Sequence, residues 1–543
     1  MKSNIKTALF VIISLILQSG QKTDQDYFEI SKNLKIMSSV YEKLNSYYVE
    51  EIVPGRVMKQ GIDAMLKSLD PYTVYISESQ IEDFRFTTTG EYGGIGASIK
   101  KFEDSIIVTE LYKSSPALKA GIKVGDIILS IDKINLQNRS IEDVGSLLKG
   151  PAESKILIEI LRDDVKIHKN VIREDIQVPA VTFYKKLKNE IGYIKLNSFT
   201  TSSAKEFGLA LNNLRKEKIE KLIIDLRSNG GGLLNEAVKI VNFFVEKGEL
   251  VVSTKSRNKQ MNRSYYCRDT PIDTLLPIVV LIDELSASAS EIVAGGLQDL
   301  DRAVIIGNTS YGKGLVQQTK QVSFGGQIKL TVAKYYTPSG RCIQKIDYSN
   351  KEDSKSKRIE DSLVKKFVTK NGREVTDSRG VEPDLKVKSE YLNAITEALI
   401  KKDIIFTFTN KIIDNYDTII VSSFELDDAT YQKFIDYVIL NDLKYQTESN
   451  FYFEKLKKSA EIEKYLGINK DLFSTMAERL QTNIISDMNM HKNEIKLFLE
   501  NEIISRKHFQ EGRVEASLKK DPFIITSNQV LSNMDSYYKI LGH

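Results

Sequence analysis

Four short apolar runs, residues 191–196, 222–226, 278–282 and 303–307, alternate with segments of helical periodicity at 204–217, 235–245 and 288–299. Strands of that kind have to be covered on both faces, so the alternation predicts an α/β layer on a largely parallel sheet, within residues 177–390. The remainder needs cores of its own. At 543 residues the chain exceeds what one hydrophobic core serves, and three or four units are expected. Its 41% hydrophobic and 28% charged residues are those of a folded protein, not of a disordered one.

Several function classes drop out on composition. Two cysteines, Cys267 and Cys342, are too few for a disulfide framework or a cysteine cage. They form one disulfide in an oxidising compartment or remain separate thiols. The four histidines, His168, His491, His508 and His543, show no ligand spacing, so neither a metal nor another cofactor is expected. A net charge of +4 over this length gives no electrostatic footprint for nucleic acid. Catalysis therefore falls to hydroxyls, lysines, carboxylates or backbone groups.

The flanks differ in character. Lys2 and Lys6 precede a ten-residue apolar run, 8–17, that ends near Ser19 and Gly20. This is the layout of a secretory signal over residues 1–20, and the run is too short to span a bilayer. Gln18 makes a poor cleavage site after Gly20, which leaves an uncleaved anchor open; either way the chain is expected to be exported to the periplasm or cell envelope. Residues 21–85 show helical spacing at Leu34, Met37, Val40, Leu44, Val57, Ile62, Met65 and Leu66, closed by the turn Leu69-Asp-Pro-Tyr72. Residues 86–176 switch to short β runs at 95–99, 105–109, 126–131 and 155–161, with one helix at 140–148. Residues 348–358 read as a charged loop, and 391–543 as a Lys/Glu/Asn-rich helical domain.

Three segments of the α/β region carry candidate chemistry. Ile224-Asp-Leu-Arg-Ser-Asn-Gly-Gly-Gly232 follows a strand and offers glycine N–H groups to a developing oxyanion. Ser286-Ala-Ser-Ala-Ser-Glu291 sits at a strand-to-helix turn, where a serine is exposed while its backbone is held. Tyr311-Gly-Lys-Gly-Leu-Val-Gln-Gln318 places a lysine between glycines, where desolvation favours the neutral amine that accepts a hydroxyl proton. Each has a plainer reading: Ser288 and Glu291 form a capping box, and the glycines end a strand. Gly307 to Lys313 nearly matches a phosphate-binding loop, but Gly314 stands where a metal-binding hydroxyl belongs and a strand pattern follows, so nucleotide binding is rejected.

In the β module, Tyr92-Gly-Gly-Ile-Gly-Ala97 lets N–H groups converge on an anion. Ser114-Ser-Pro-Ala-Leu-Lys-Ala-Gly121 and Val124-Gly-Asp-Ile-Ile-Leu-Ser-Ile131 resemble a PDZ domain. The resemblance implies that a peptide C-terminus adds as a strand beside 95–99, against the helix 140–148, with its carboxylate at Gly94, Ile95, Gly96 and Ala97. Together, the three core segments resemble the C-terminal (tail-specific) processing proteases, S41 serine peptidases. Leu69-Asp-Pro-Tyr72, Ile191-Gly-Tyr-Ile194, Tyr335-Tyr-Thr-Pro-Ser-Gly-Arg341 and Gly380-Val-Glu-Pro-Asp384 extend that likeness over residues 30–390.

The resemblance implies a multidomain α/β chain: a crotonase-like (crotonase-type) protease core, 177–390, an inserted PDZ module, 86–176, and flanking helical domains. The motif spacing selects Ser288 as nucleophile and Lys313 as general base, with Gln317 orienting the lysine. The oxyanion hole falls to the N–H of Ala289 with that of Gly230 or Gly231. The implied activity is a serine endopeptidase with a Ser-Lys dyad that recognises the C-terminal tail of protein or peptide substrates. Histidine scarcity fits such a dyad. Arg162 reads as a surface arginine or as a contact coupling peptide occupancy to Gln317. The rivals are a proteolytically inactive PDZ scaffold and an acyl-CoA enzyme of the same fold. Adaptor binding and self-association are both open for the C-terminal helices.

Overall fold

The computed structural model describes residues 26–348, 357–388 and 392–543. The signal segment 1–20 and most of the loop 348–358 lie outside the described residues. The chain divides into two compact units, one formed by residues up to Tyr75 with 328–330, the other by the rest.

In the first unit residues 26–47 and Pro54–Lys67 are helical. Leu66 is buried, whereas Leu34, Met37 and Val40 are exposed. The turn that closes the unit is built by Asp70, whose Oδ1 accepts the N–H groups of Tyr72 and Thr73, both at 2.8 Å. A carboxylate accepting from residues two and three ahead makes its own turn, which explains the Asp-Pro pair.

In the second unit the β module is a six-stranded sheet in the order Ala97–Phe102, Ser105–Leu111, Ile127–Ile131, Lys155–Arg162, Val165–Ile172, with Ile134–Asn135 beside Ile127–Ile131. Its core includes Val108, Ile128, Ile158 and Ile160. Ser140 caps the helix Ile141–Leu148, its Oγ accepting the Asp143 N–H at 3.1 Å. The strands by which the chain enters and leaves the module, Glu91–Gly94 and Glu174–Gln177, pair antiparallel with each other.

The central sheet runs Val181–Lys186, Ile191–Leu196, Lys221–Asp225, Ile278–Ile282, Val304–Gly307, Leu385–Lys386, antiparallel at the first pair and parallel thereafter. Side chains alternate between faces with period two. Ile194, Leu222, Ile224, Ile278, Val280 and Ile305 pack with the helices Ser203–Lys216, Leu234–Asn242 and Ala289–Asp299. Ile191, Tyr193, Ile223, Val279, Leu281 and Ile306 face the opposite way. There they meet Phe523, Ile524, Leu531 and Tyr537, from the helices Pro522–Ser532 and Met534–Ile540. These last two helices, grouped by sequence with the helical C-terminal region, thus complete the layer on the central sheet. Their apolar residues have no other large face to cover.

A second sheet holds Leu250–Lys255, Arg263–Tyr266, Leu315–Gln321 and Gln327–Tyr336. The helices from Ala394–Lys401 to Lys492–Ser517 enclose a separate core, with Leu399, Phe408, Phe434, Val438, Leu499 and Ile503 inside.

Candidate active site

Three loops meet at the C-terminal ends of the parallel strands. The first, residues 226–232, leaves Lys221–Asp225. Its Asn229 is fully buried: Nδ2 donates to Leu196 O at 2.8 Å, and Oδ1 accepts the Gly231 N–H at 2.9 Å. The Asn229 carbonyl accepts both the Ala287 N–H (3.0 Å) and the Ser290 hydroxyl (2.8 Å), which ties this loop to the serine segment. Asp283 adds a second tie, accepting the Ser228 N–H at 2.9 Å and the Ser286 hydroxyl at 3.0 Å. The outer two serines are therefore buried struts, since the Ser286 hydroxyl also donates to Leu226 O at 2.9 Å.

Ser288 differs from both. It heads the helix Ala289–Asp299 with φ 57° and ψ −111°, a left-handed conformation costly for a residue with a side chain. Its N–H donates to Glu291 at 2.7 Å and its carbonyl accepts the Tyr335 hydroxyl at 3.2 Å. Gly231 makes room for this: a side chain there would have its Cβ 2.6 Å from Ala287 O and 2.8 Å from Ser288 Cβ, at a φ of +100°. Two neighbouring backbone donors, the N–H groups of Ala289 and Gly230, reach no acceptor among the described residues.

Glu291 binds the serine segment to the lysine segment. It is fully buried, and its Oε2 accepts the N–H groups of Ser288 (2.7 Å) and Lys313 (2.9 Å). Oε1 accepts the Ser310 hydroxyl (2.5 Å) and the Gly312 N–H (2.7 Å). Burial pushes its carboxyl above the usual carboxylate range, although the four donors pull the other way. By sequence alone Glu291 was only the second half of a capping box; its bonds to residues 310–313 are long-range and leave no local signal.

Lys313 stands partly buried between these bonds and Gly314, whose N–H donates to Gln344 at 2.7 Å. Gln317, on Leu315–Gln321, donates its Nε2 amide to Thr331 Oγ1 at 3.2 Å. Arg162 is no free surface arginine: its guanidinium grips the buried Asp126 (Nε–Oδ1 2.6 Å, Nη2–Oδ2 2.7 Å) and Gly121 O, inside the β module.

Under the loop 226–232 sits a charge cluster that the sequence reading missed. Asp225 accepts the Tyr193 hydroxyl (2.7 Å), Lys195 Nζ (3.1 Å) and the Arg227 guanidinium (2.6 Å). Burial alone raises Asp225, but Lys195 and Arg227 outweigh it and hold the carboxyl below its ordinary range.

In the β module, Ala97–Phe102 is an edge strand with Ser105–Leu111 on one side and the helix Ile141–Leu148 near the other. The carbonyls of Ile95 and Gly96 turn inward, accepting from Ala117 (2.9 Å) and Tyr112 (3.0 Å); the Ile95 N–H reaches no acceptor among the described residues, and the Gly96 N–H faces the Tyr92 hydroxyl. Gly94 and Ile95 are buried, and Gly96 holds a φ of +69°.

Cys267 and Cys342 carry free thiols. Among the described residues no group of His, Cys, Asp or Glu could hold a metal ion, and no helix is long and apolar enough to cross a membrane.

Comparison with known proteins gives three family matches: "Peptidase family S41" over residues 190–351, "PDZ domain" over 107–162, and "Probable PDZ-protease, C-terminal helical domain" over 395–531. Over 344 residues the chain is 34% identical to the carboxy-terminal-processing protease of Bartonella bacilliformis, covering 62% of this chain and 79% of that protein. A probable CtpA-like serine protease of Staphylococcus aureus is 33% identical over 341 residues, 62% of this chain and 67% of that one. A solved photosystem II D1 C-terminal processing protease aligns with TM-score 0.36 at 24% identity, covering 65% of this chain and 92% of that one.

Proposed function

The chain belongs to the carboxy-terminal-processing proteases of peptidase family S41, with a PDZ domain and a helical C-terminal region, and from that premise we propose that it cleaves peptide bonds with a Ser288-Lys313 dyad. The observation that carries this reading is the Glu291 carboxylate, one oxygen of which accepts the N–H groups of both residues. Two segments 25 residues apart are thereby held at one point, with the half-buried serine in a strained turn at the head of its helix.

Ser288 Oγ attacks the scissile carbonyl while Lys313, as the neutral amine, takes its proton. The oxyanion forms against the N–H groups of Ala289 and Gly230. Gly231 is the weaker choice, because its N–H is already spent on Asn229. Collapse expels the amine, which takes the proton back from Lys313; water then attacks the acyl carbon as it gives a proton to Lys313, and the acyl–Oγ bond breaks as Lys313 returns that proton to Ser288 Oγ, releasing the carboxylic acid. Gln317 orients this lysine through its side-chain carbonyl, which the bond from its Nε2 to Thr331 leaves available. A crotonase-like arrangement of the core is part of the proposal, supported by the parallel strands whose C-terminal ends carry all three loops.

The PDZ module selects the substrate. A free C-terminal carboxylate fits the open N–H group of Ile95 and takes the place of the Tyr92 hydroxyl at that of Gly96, and the peptide extends along the edge of Ala97–Phe102 toward Ile141–Leu148. The substrates are proteins or peptides with accessible tails, met in the cell envelope after export directed by residues 1–20. Labelled peptides differing only in their C-terminal residues test the whole scheme. Ser288→Ala should bind them with unchanged affinity and cut none; cleavage by that variant would sink the dyad, and binding without cleavage by the parent chain would leave only the inactive scaffold.

A further inference from the structure

The loop that carries Gly230 is not held by the protease region alone. Arg227 opens that loop, and its backbone is set by the charge cluster beneath: its N–H donates to Asp225 at 2.9 Å and its carbonyl accepts Lys195 Nζ at 2.7 Å. Its guanidinium lies between two carboxylates. On one side Nε and Nη2 donate to Asp225; on the other, Nη2 is 2.7 Å from Oδ2 of Asp521. The guanidinium also covers the Phe523 ring at 4.7 Å.

Asp521 and Phe523 come from the far end of the chain. Asp521 is the N-cap of Pro522–Ser532, with Oδ1 accepting the Phe523 N–H at 2.8 Å and the side chain only 9% exposed. The helix is fixed in turn to the central sheet, where Ile524 and Leu531 are buried. The next helix adds a polar pin: the Tyr537 hydroxyl accepts the Ile278 N–H at 2.8 Å and donates to Ile278 O at 3.2 Å, on the strand that leads to Ser288. Without Asp521 the guanidinium keeps Asp225 but loses the contact that fixes its outer edge.

We infer that Asp521 is a positioning residue for hydrolysis: it fixes Arg227, and through Arg227 the loop bearing Gly230, so the C-terminal helix is a working part of the protease. The inference rests on the assignment of Ser288 and Gly230 above. It deserves a test in the full chain with Asp521→Asn, which keeps a cap for Phe523 but removes the charge, and with Asp521→Ser as a second neutral cap should the first fail to fold. Active sites are titrated with an organophosphorus reagent that labels serine nucleophiles, and kcat and KM are measured per titrated site. The expected result is a fall in kcat of about tenfold with KM changed less than about twofold, partly restored in Asp521→Glu. Combined with Arg227→Lys, the two losses should fall short of multiplying. Unchanged kcat per site, a loss seen only as fewer sites and a lower melting temperature, or losses that multiply would each overturn the inference. Cleavage surviving in Ser288→Ala would instead remove the dyad, a separate outcome from any of these.

Discussion

Replacing Glu291 by glutamine isolates the bond that joins the two catalytic segments. The carboxylate satisfies four donors, and an amide keeps one acceptor oxygen. Placed on Ser288 and Lys313, that oxygen preserves the shared contact; the Ser310 hydroxyl turns to accept from the new NH2, but the Gly312 N–H then faces a donor in a buried site. One unpaired buried donor costs about 1–3 kcal/mol. At about 2–4 °C per kcal/mol for a unit of this size, the melting temperature should fall by about 2–12 °C. Because burial disfavours the ionised carboxyl, the neutral amide also sheds that penalty, so the lower end is favoured. Displacing the backbone beside Lys313 should cut kcat by about 10–100-fold. Glu291→Ala strands all four donors and should lose about 4 kcal/mol or more, a large share of a typical total stability. Calorimetry and peptide cleavage read both variants. Parent-like melting and turnover in Glu291→Gln, or an alanine variant no worse than the glutamine one, would refute the role given to this carboxylate.

Gly231→Ala should abolish measurable turnover and cost about 2–4 kcal/mol in urea unfolding, since its Cβ meets backbone at 2.6 Å, whereas Gly230→Ala meets nothing within 4 Å and should unfold at the parent's midpoint. Gly96→Ala places a Cβ 2.5 Å from that of Ser115 at positive φ, so fluorescence anisotropy should show tail peptides binding about tenfold more weakly, with kcat at saturation unchanged. Asp225 is held below its ordinary pKa, so the unfolded chain takes up a proton first as pH falls; its stabilisation is present in full above about pH 5 and lost progressively below. Asp225→Asn should accordingly melt lower at pH 7 and lose less stability than the parent between about pH 5 and 2.

What was legible in the sequence follows the range of the interactions. Ile278–Ile282 is apolar on consecutive residues, and Ile191–Leu196 is so except at Gly192 and Lys195, because both faces are covered, and their limits could be read directly. The strand pattern after Gly314 was legible and matches Leu315–Gln321, whereas Gln327–Tyr336 was not singled out, because partial burial along it leaves no alternation to follow. At the site, the order of serines, glycines and lysine is a local pattern and was visible. Glu291 and Asp521 were not recognised, because each was readable locally only as part of a helix start, while its partners stand 19–22 and 294 residues away. Gln317 was named from its motif, but its bond to Thr331 was not legible, because it depends on how two strands pair.

The paired stem of Glu91–Gly94 and Glu174–Gln177 also bears on how the chain folds. Between these strands lie about 80 residues, and closing a flexible loop of that length costs about 4 kcal/mol beyond a constant. A module that folds with its own ends side by side meets that cost from its own core, through Val108, Ile128 and Ile158. To the rest of the chain it is then no longer than a hairpin turn, so the central strands can find their register as if the insertion were absent. For the same reason, another domain whose termini emerge as neighbouring antiparallel strands could be grafted onto this stem without changing the order in which the protease strands assemble.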